Sequence, residues 1–265
     1  MSWFPGIREL SRSAALLIFC SGLISAQPPS EPLANFPQDA QGNQLLFGGP
    51  HLAPATRDIL LLDSLQAVEI SPASIEYRIP LGAYLESPTP EVRIAACELI
   101  HAWEVPWFDE RLLETGAHCC TPTTVRIAAL KAVMTRAEKV DPPSFLVLKS
   151  QLYEQVPIHL REQGAEILSR APLTESQILA LLEEIGSDNP LKAGPAIWPR
   201  LFPLFERHPT LEVGKALVEA AKKSPGLDAV PEEAYLRAMA NYPLEIVEQL
   251  DSLKQAASSG GTVAP

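Results

Sequence analysis

Apolar residues recur along most of this chain at helical spacing. Val125, Ala128, Ala129 and Ala132 fall at i, i+3, i+4 and i+7, which places them on one face of a helix. The small alanines of that face let a neighbouring helix approach closely. Helix ends are legible beside the stripes. Pro106 to Gly116 reads as one helix, with Pro in its first turn and Gly at its end. Pro122 to Ala137 reads as its partner. Asp141-Pro142-Pro143 caps the next helix, over 143–155, which packs with another over 157–170.

The pattern repeats. Val92-Arg93-Ile94-Ala95-Ala96 returns as Val125-Arg126-Ile127-Ala128-Ala129, 33 residues later. A weaker copy has Leu160-Arg161 before Gly164-Ala165, and a still weaker one has Thr56-Arg57 before Ile59-Leu60-Leu61. The steps between these arginines are 36, 33 and 35 residues. A fixed period of this size with helical composition signals an all-α fold, an α-solenoid of stacked antiparallel helix pairs. Neither helix of a pair buries its stripe alone, and stacking builds a continuous core. The expected solenoid covers residues 54–256 in about five pairs.

Composition agrees and narrows the picture. Among 265 residues, 26 are Pro, which is expected to break long elements into short ones. Aromatics are only 6% and Ala, Leu and Glu dominate, a mixture suited to packed helices. Lys and Arg number 21 against 32 Asp and Glu, a net charge of -11, which argues against nucleic acid as a partner. Four Cys do not make a disulfide framework.

The N-terminus carries an address. Arg8 and Arg12 precede an uncharged stretch from Ala14 to Ala26, and Gln27-Pro28-Pro29 follows. This is the layout of a secretory signal peptide over 1–26, cleaved after Ala26; the alternative is a retained anchor. Its apolar run is shorter than the roughly 20 residues that span a bilayer, so no membrane span is expected after cleavage. Cleavage removes Arg8, Arg12 and Glu9 and leaves 19 basic against 31 acidic residues, a charge of -12. The expected location is periplasmic or extracellular. Residues 27–53 read as a flexible linker and 257–265 as a disordered tail.

The repeated units resemble HEAT repeats, whose second helix starts at a Pro-containing turn and carries V-R-x-x-A near its first turn. Thr89-Pro90-Glu91 and Thr121-Pro122-Thr123 stand where that family often has an acidic residue. Further on, Leu201-Phe202-Pro203-Leu204-Phe205-Glu206, Val213-Gly214-Lys215-Ala216-Leu217-Val218, Lys223-Ser224-Pro225-Gly226-Leu227 and Ala240-Asn241-Tyr242-Pro243-Leu244-Glu245 follow in order. They resemble the segment that trails the HEAT repeats in large secreted bacterial haem-binding proteins. Those join a dehydrogenase-like propeller, HEAT repeats and a cytochrome c domain bearing C-x-x-C-H. The likeness spans residues 85–255 and covers neither flanking module, so it carries over no haem ligand.

Candidate chemistry is sparse. Covalent haem needs C-x-x-C-H, and His118-Cys119-Cys120 has another order and spacing. A metal reading enlists His118, Cys119 and Cys97; the plainer reading is a turn with buried small thiols. A disulfide from Cys97 to this turn is the other option in an oxidising compartment. No nucleophile, phosphate-loop or zinc-protease motif occurs, so no catalytic residue, metal or cofactor is expected. His101 reads as packed or exposed. Trp103 and Trp107 flank Pro106, as a packed corner between helices or as an aromatic anchor for a partner. Arg93, Arg126 and Arg161 line up on successive second helices. They either pair with carboxylates of neighbouring units or bind an anionic partner. The expected function is an exported, non-enzymatic protein-binding or scaffolding module. The alternative is an accessory subunit that docks a separate cytochrome c or dehydrogenase through its acidic surface.

Overall fold

Prolines set the starts of many helices. In a computed structural model, residues 53–66, 75–186, 191 and 193–259 are described. The chain divides into two units, residues 1–35 and 36–265, and every described residue belongs to the second. The expected signal peptide and nearly all of the linker lie outside the described residues.

The described residues form twelve α-helices: α1 (Pro54–Leu65), α2 (Arg78–Leu85), α3 (Pro90–Trp103), α4 (Asp109–Ala117), α5 (Thr123–Met134), α6 (Pro142–Ser150), α7 (Ile158–Arg170), α8 (Glu175–Ile185), α9 (Gly194–Glu206), α10 (Leu211–Lys223), α11 (Glu232–Met239) and α12 (Leu244–Ser258). Among these residues the only bridge of β type is a single antiparallel one between Tyr153 and Leu191. The fold is all-α, with two helices more than five pairs would supply. Helix α12 also runs two residues past the expected boundary at 256, so Ala257 and Ser258 are helical.

Pro122, Pro157, Pro231 and Pro243 each sit immediately before a helix with φ between -52° and -56° and extended ψ. The fixed φ of proline suits that position, and its missing N–H leaves no donor to satisfy. Pro54 and Pro90 take the first helical position for the same reason. Other starts use side chains. Asp141 accepts from the Ser144 amide at 3.0 Å, and Thr174 with Gln177 makes a reciprocal capping box on α8.

Three expected boundaries move, and the first is the end of α5, which stops at Met134 where Ala137 was expected. The segment from Pro106 opens as one 3-10 turn, Pro106–Phe108, before α4 begins at Asp109. Helix α6 stops at Ser150, and turns carry the chain to Pro157. Helix α9 departs from the expectation that proline shortens elements, because Pro199 and Pro203 lie inside it. With Pro195 they recur every four residues, so the carbonyls left without donors share one outward strip. The opposite face buries Ile197, Trp198, Leu201, Phe202 and Phe205.

Packing follows an alternating order. Helix α1 touches α3, α3 touches α5, α5 touches α7, α7 touches α9, and α9 touches α11. Among the even helices α4 touches α6, α8 touches α10, and α10 touches α12. Between the two sets, α2 packs on α3, α4 on α5 and α6 on α7. Helix α5 therefore has neighbours on three sides. Its buried set includes Ile127, Leu130, Val133 and Met134 as well as the expected stripe of Val125, Ala128, Ala129 and Ala132.

Glycines mark the closest approaches. A Cβ at Gly116 on α4 would lie 2.5 Å from Leu130 Cγ on α5, and one at Gly214 on α10 would lie 2.9 Å from the Tyr242 ring. Ion pairs also cross between elements: Arg111 with Glu86 at 2.8 Å, Arg136 with Asp109 at 2.6 Å, and Lys149 with Glu184 at 2.7 Å.

Candidate functional site

The arginine row is a feature of helix register. Arg57, Arg93, Arg126 and Arg161 are each the fourth residue of their helix, on α1, α3, α5 and α7. Each amide donates to the carbonyl of the residue just before its helix, at 3.0 to 3.3 Å. Because these helices are consecutive neighbours, the repeat of the sequence becomes a repeat of position. The row stops there, since Ile197 and Tyr235 hold the fourth place in α9 and α11.

The arginines do different work. Arg126 Nε donates to the Gly116 carbonyl at 2.9 Å, in the last turn of α4. Its partner is a backbone carbonyl, where sequence reasoning expected a carboxylate. The free carbonyls of a helix C-terminus are a negative end, and a guanidinium there satisfies both hydrogen bond and dipole. Two arginines outside the row do the same. Arg207 donates to the carbonyls of Ser169, Arg170 and Ala171 at the end of α7. Arg111 reaches the Gly82 carbonyl in α2 at 3.4 Å. Arg93 differs: it is half-buried, and its Nε finds no hydrogen-bond partner among the described residues. Arg161 is also half-buried.

The aromatic corner follows the end of α3. Glu104 adopts a left-handed conformation with φ 54°, which ends the helix and turns the chain toward Pro106. Trp103 meets the Tyr77 ring edge-on with centroids 5.2 Å apart, and Trp107 meets Phe108 edge-on at 6.5 Å. Both tryptophans are half-buried and Phe108 is buried, so the corner is packed inside and wet outside.

The cysteine turn departs from its plainer reading. Cys119 and Cys120 are exposed, with their Sγ atoms 3.8 Å apart, and His118 is exposed beside them. Cys97 is buried in α3 as a free thiol, and burial pushes its pKa up to about 12. Among the described residues no group of three His, Cys, Asp or Glu side chains is placed to hold a metal. No helix among them is long and apolar enough to cross a membrane.

A cleft that sequence reasoning passed over lies between the C-terminal ends of α3, α5 and α7. It is small, with a cavity volume of about 30 Å³, and it opens to solvent. His101, Lys131 and Arg170 come one from each helix, and Met134 and Ile167 supply apolar wall. No motif announces it, because His101, Lys131 and Arg170 are 30 or more residues apart and meet only through helix stacking.

No known protein family, no curated protein and no solved structure matches this chain.

Proposed function

We propose that the chain is an exported, non-enzymatic protein-binding or scaffolding module, built from HEAT-like repeats stacked as an α-solenoid. The observation that carries this reading is the order of helix contacts, in which each odd-numbered helix touches the next. The arginine at the fourth position of α1, α3, α5 and α7 adds the signature of a repeated unit. Stacked repeats that contact only their neighbours present one extended surface, and protein recognition is its common use. Arg93 and Arg161, with Trp103 and Trp107 at the corner, are the residues we assign to that surface. Export rests on the basic, apolar and small-residue order of the N-terminus.

The test is affinity capture by the tagged, mature chain from the exported fraction of its source cells. A stoichiometric protein partner that is lost with Arg93→Ala or Trp107→Ala supports the reading. Capture unchanged by both variants removes these residues from the surface, and hydrolytic or redox turnover by the pure chain overturns the reading.

A second reading, an accessory subunit for a cytochrome c or dehydrogenase, is favoured by the charge of -11. An acidic surface steers a cationic partner by speeding encounter. Association with a cationic cytochrome would then slow steeply as salt shortens the Debye length from about 10 Å at 0.1 M to about 3 Å at 1 M. Salt-independent association would reject this version.

A further inference from the structure

The turn between α4 and α5 presents two neighbouring thiols to solvent. The Thr121 amide donates to the His118 carbonyl at 3.1 Å, so residues 118–121 close a β-turn with Cys119 and Cys120 at its centre. His118 Nδ1 and Thr121 Oγ1 lie 3.4 Å apart across the same turn. Both ends of the turn are held. The His118 amide donates to the Glu114 carbonyl at 3.0 Å, and Arg126 Nε ties the first turn of α5 to the Gly116 carbonyl at 2.9 Å. On this base the Sγ atoms stand 3.8 Å apart, and both cysteines are exposed.

Access and spacing set the chemistry. A disulfide needs its sulfurs at about 2.0 Å, so the pair must close from 3.8 Å by about 1.8 Å. Rotation of the two side chains supplies that movement, and exposed side chains change rotamer within nanoseconds. Thiol–disulfide exchange needs an attacking thiolate with access to the sulfur it attacks. A second thiol already beside the first makes the closing step intramolecular, which favours it over attack by a dissolved thiol. Cys97 offers the contrast: it is buried, and burial pushes its pKa up to about 12, so it stays protonated and out of reach.

We propose that Cys119 and Cys120 form a reversible two-electron redox site, oxidised to a vicinal disulfide by a low-molecular-weight disulfide. One cysteine thiolate attacks a sulfur of the small disulfide, forms a mixed disulfide and expels one small thiolate. The neighbouring thiolate then attacks the cysteine sulfur of that mixed disulfide, closes the bond and expels the second. Two cysteine thiols are oxidised, and one small disulfide is reduced to two small thiols, which take up the cysteine protons. Adjacent Cα atoms lie about 3.8 Å apart, closer than the roughly 4.4–6.8 Å that disulfides favour. A strained, exposed bond of this kind is labile, so excess small thiol reopens it. The site does not depend on the reading of the chain as a protein-binding module.

The test incubates the full chain with glutathione disulfide, quenches with acid and reads the tryptic peptide 112–126 by mass. That peptide holds Cys119 and Cys120 and no other cysteine. It should become lighter by two hydrogens, and excess glutathione should restore it. A form heavier by one glutathione should stay scarce in the parent and rise at least tenfold in Cys119→Ser and in Cys120→Ser, where no second thiol closes the ring. Closure should be at least tenfold faster in the folded chain than in the same chain unfolded in urea, because the turn holds the sulfurs together. A parent peptide that keeps one or two glutathiones, or that is cross-linked between chains, would overturn the site. A peptide left unchanged by glutathione disulfide would do the same. Equal rates in the folded and unfolded chain would overturn the turn as its basis.

Discussion

Gly116 offers the sharpest test of how the helices pack. Replacing it by Ala adds one methyl whose carbon would sit 2.4 Å from Leu130 Cδ2 and 2.5 Å from Leu130 Cγ. Unstrained carbons rest about 3.5–4.0 Å apart, so α4 and α5 must separate by about 1 Å or Leu130 must leave its rotamer. Leu130 is fully buried and cannot swing aside. Overpacking of this kind costs about 1–3 kcal/mol. The substitution also favours the helix by about 0.5–1 kcal/mol, since Gly in a helix interior is poorer than Ala by that amount. The net change lies between about zero and a loss of about 2.5 kcal/mol. Gly82 on α2 provides the control, because a Cβ there would meet the Phe108 ring at 3.6 Å, an ordinary contact. Gly82→Ala keeps the helix gain without the clash and should stabilise by about 0.5–1 kcal/mol. Gly116→Ala should thus melt below Gly82→Ala. In a chain of this size each kcal/mol shifts the melting temperature by about 2–4 °C, which calorimetry resolves. If Gly116→Ala melts higher than the parent, as Gly82→Ala should, then α4 and α5 do not meet at this register.

Three further outcomes follow from the same contacts. Ala129→Leu on the buried side of α5 should lower stability by about 1–3 kcal/mol in denaturant unfolding, as should Ala128→Leu; parental midpoints for both would refute the burial of α5. Ser224 Oγ accepts the amides of Ala193 and Gly194 at 2.9 and 3.3 Å, so Ser224→Ala should cost about 1–3 kcal/mol by stranding buried donors, and a neutral variant would show that water replaces it. His101 and His208 are both held below 6.5, chiefly by burial, so the unfolded chain binds protons more readily than the native one. Stability should be fully present above 6.5 and fall as pH drops through it toward the lower native values. His101→Gln should flatten that slope, and an unchanged pH profile would contradict the burial of the ring.

How much of the structure is legible in the sequence depends on distance along the chain. Local signals read well: Asp141 caps α6 as its Asp-Pro-Pro string implies, and the period of Val92-Arg93 and Val125-Arg126 becomes one register on α3 and α5. Contacts between distant segments do not. The alanine stripe of α5 announces one buried face, but three neighbours bury the helix almost all round. The prolines of α9 read as breakers, yet a spacing of four keeps every break on one strip. Arg126 takes its expected place in the row, but its partner is a carbonyl ten residues earlier rather than a carboxylate. Cys119 and Cys120 lie exposed in the turn that joins α4 to α5, a feature no composition rule contains. The cleft at His101 escapes a sequence reading for the same reason: Lys131 and Arg170 reach it only after α3, α5 and α7 stack.

Removing α11 and α12 by ending the chain at Val230, then following amide hydrogen exchange residue by residue, tests the stacked-repeat account most directly. These helices reach the rest through α9, α10 and the 3-10 turn Leu227–Ala229, with Tyr235 stacked on Phe202 at 5.8 Å and the Tyr242 hydroxyl donating to the Phe205 and His208 carbonyls. If stability is a sum of neighbour contacts, protection should fall in α9 and α10 and persist from α1 to α7. Loss of protection along the whole chain would instead reveal one indivisible core and contradict the account.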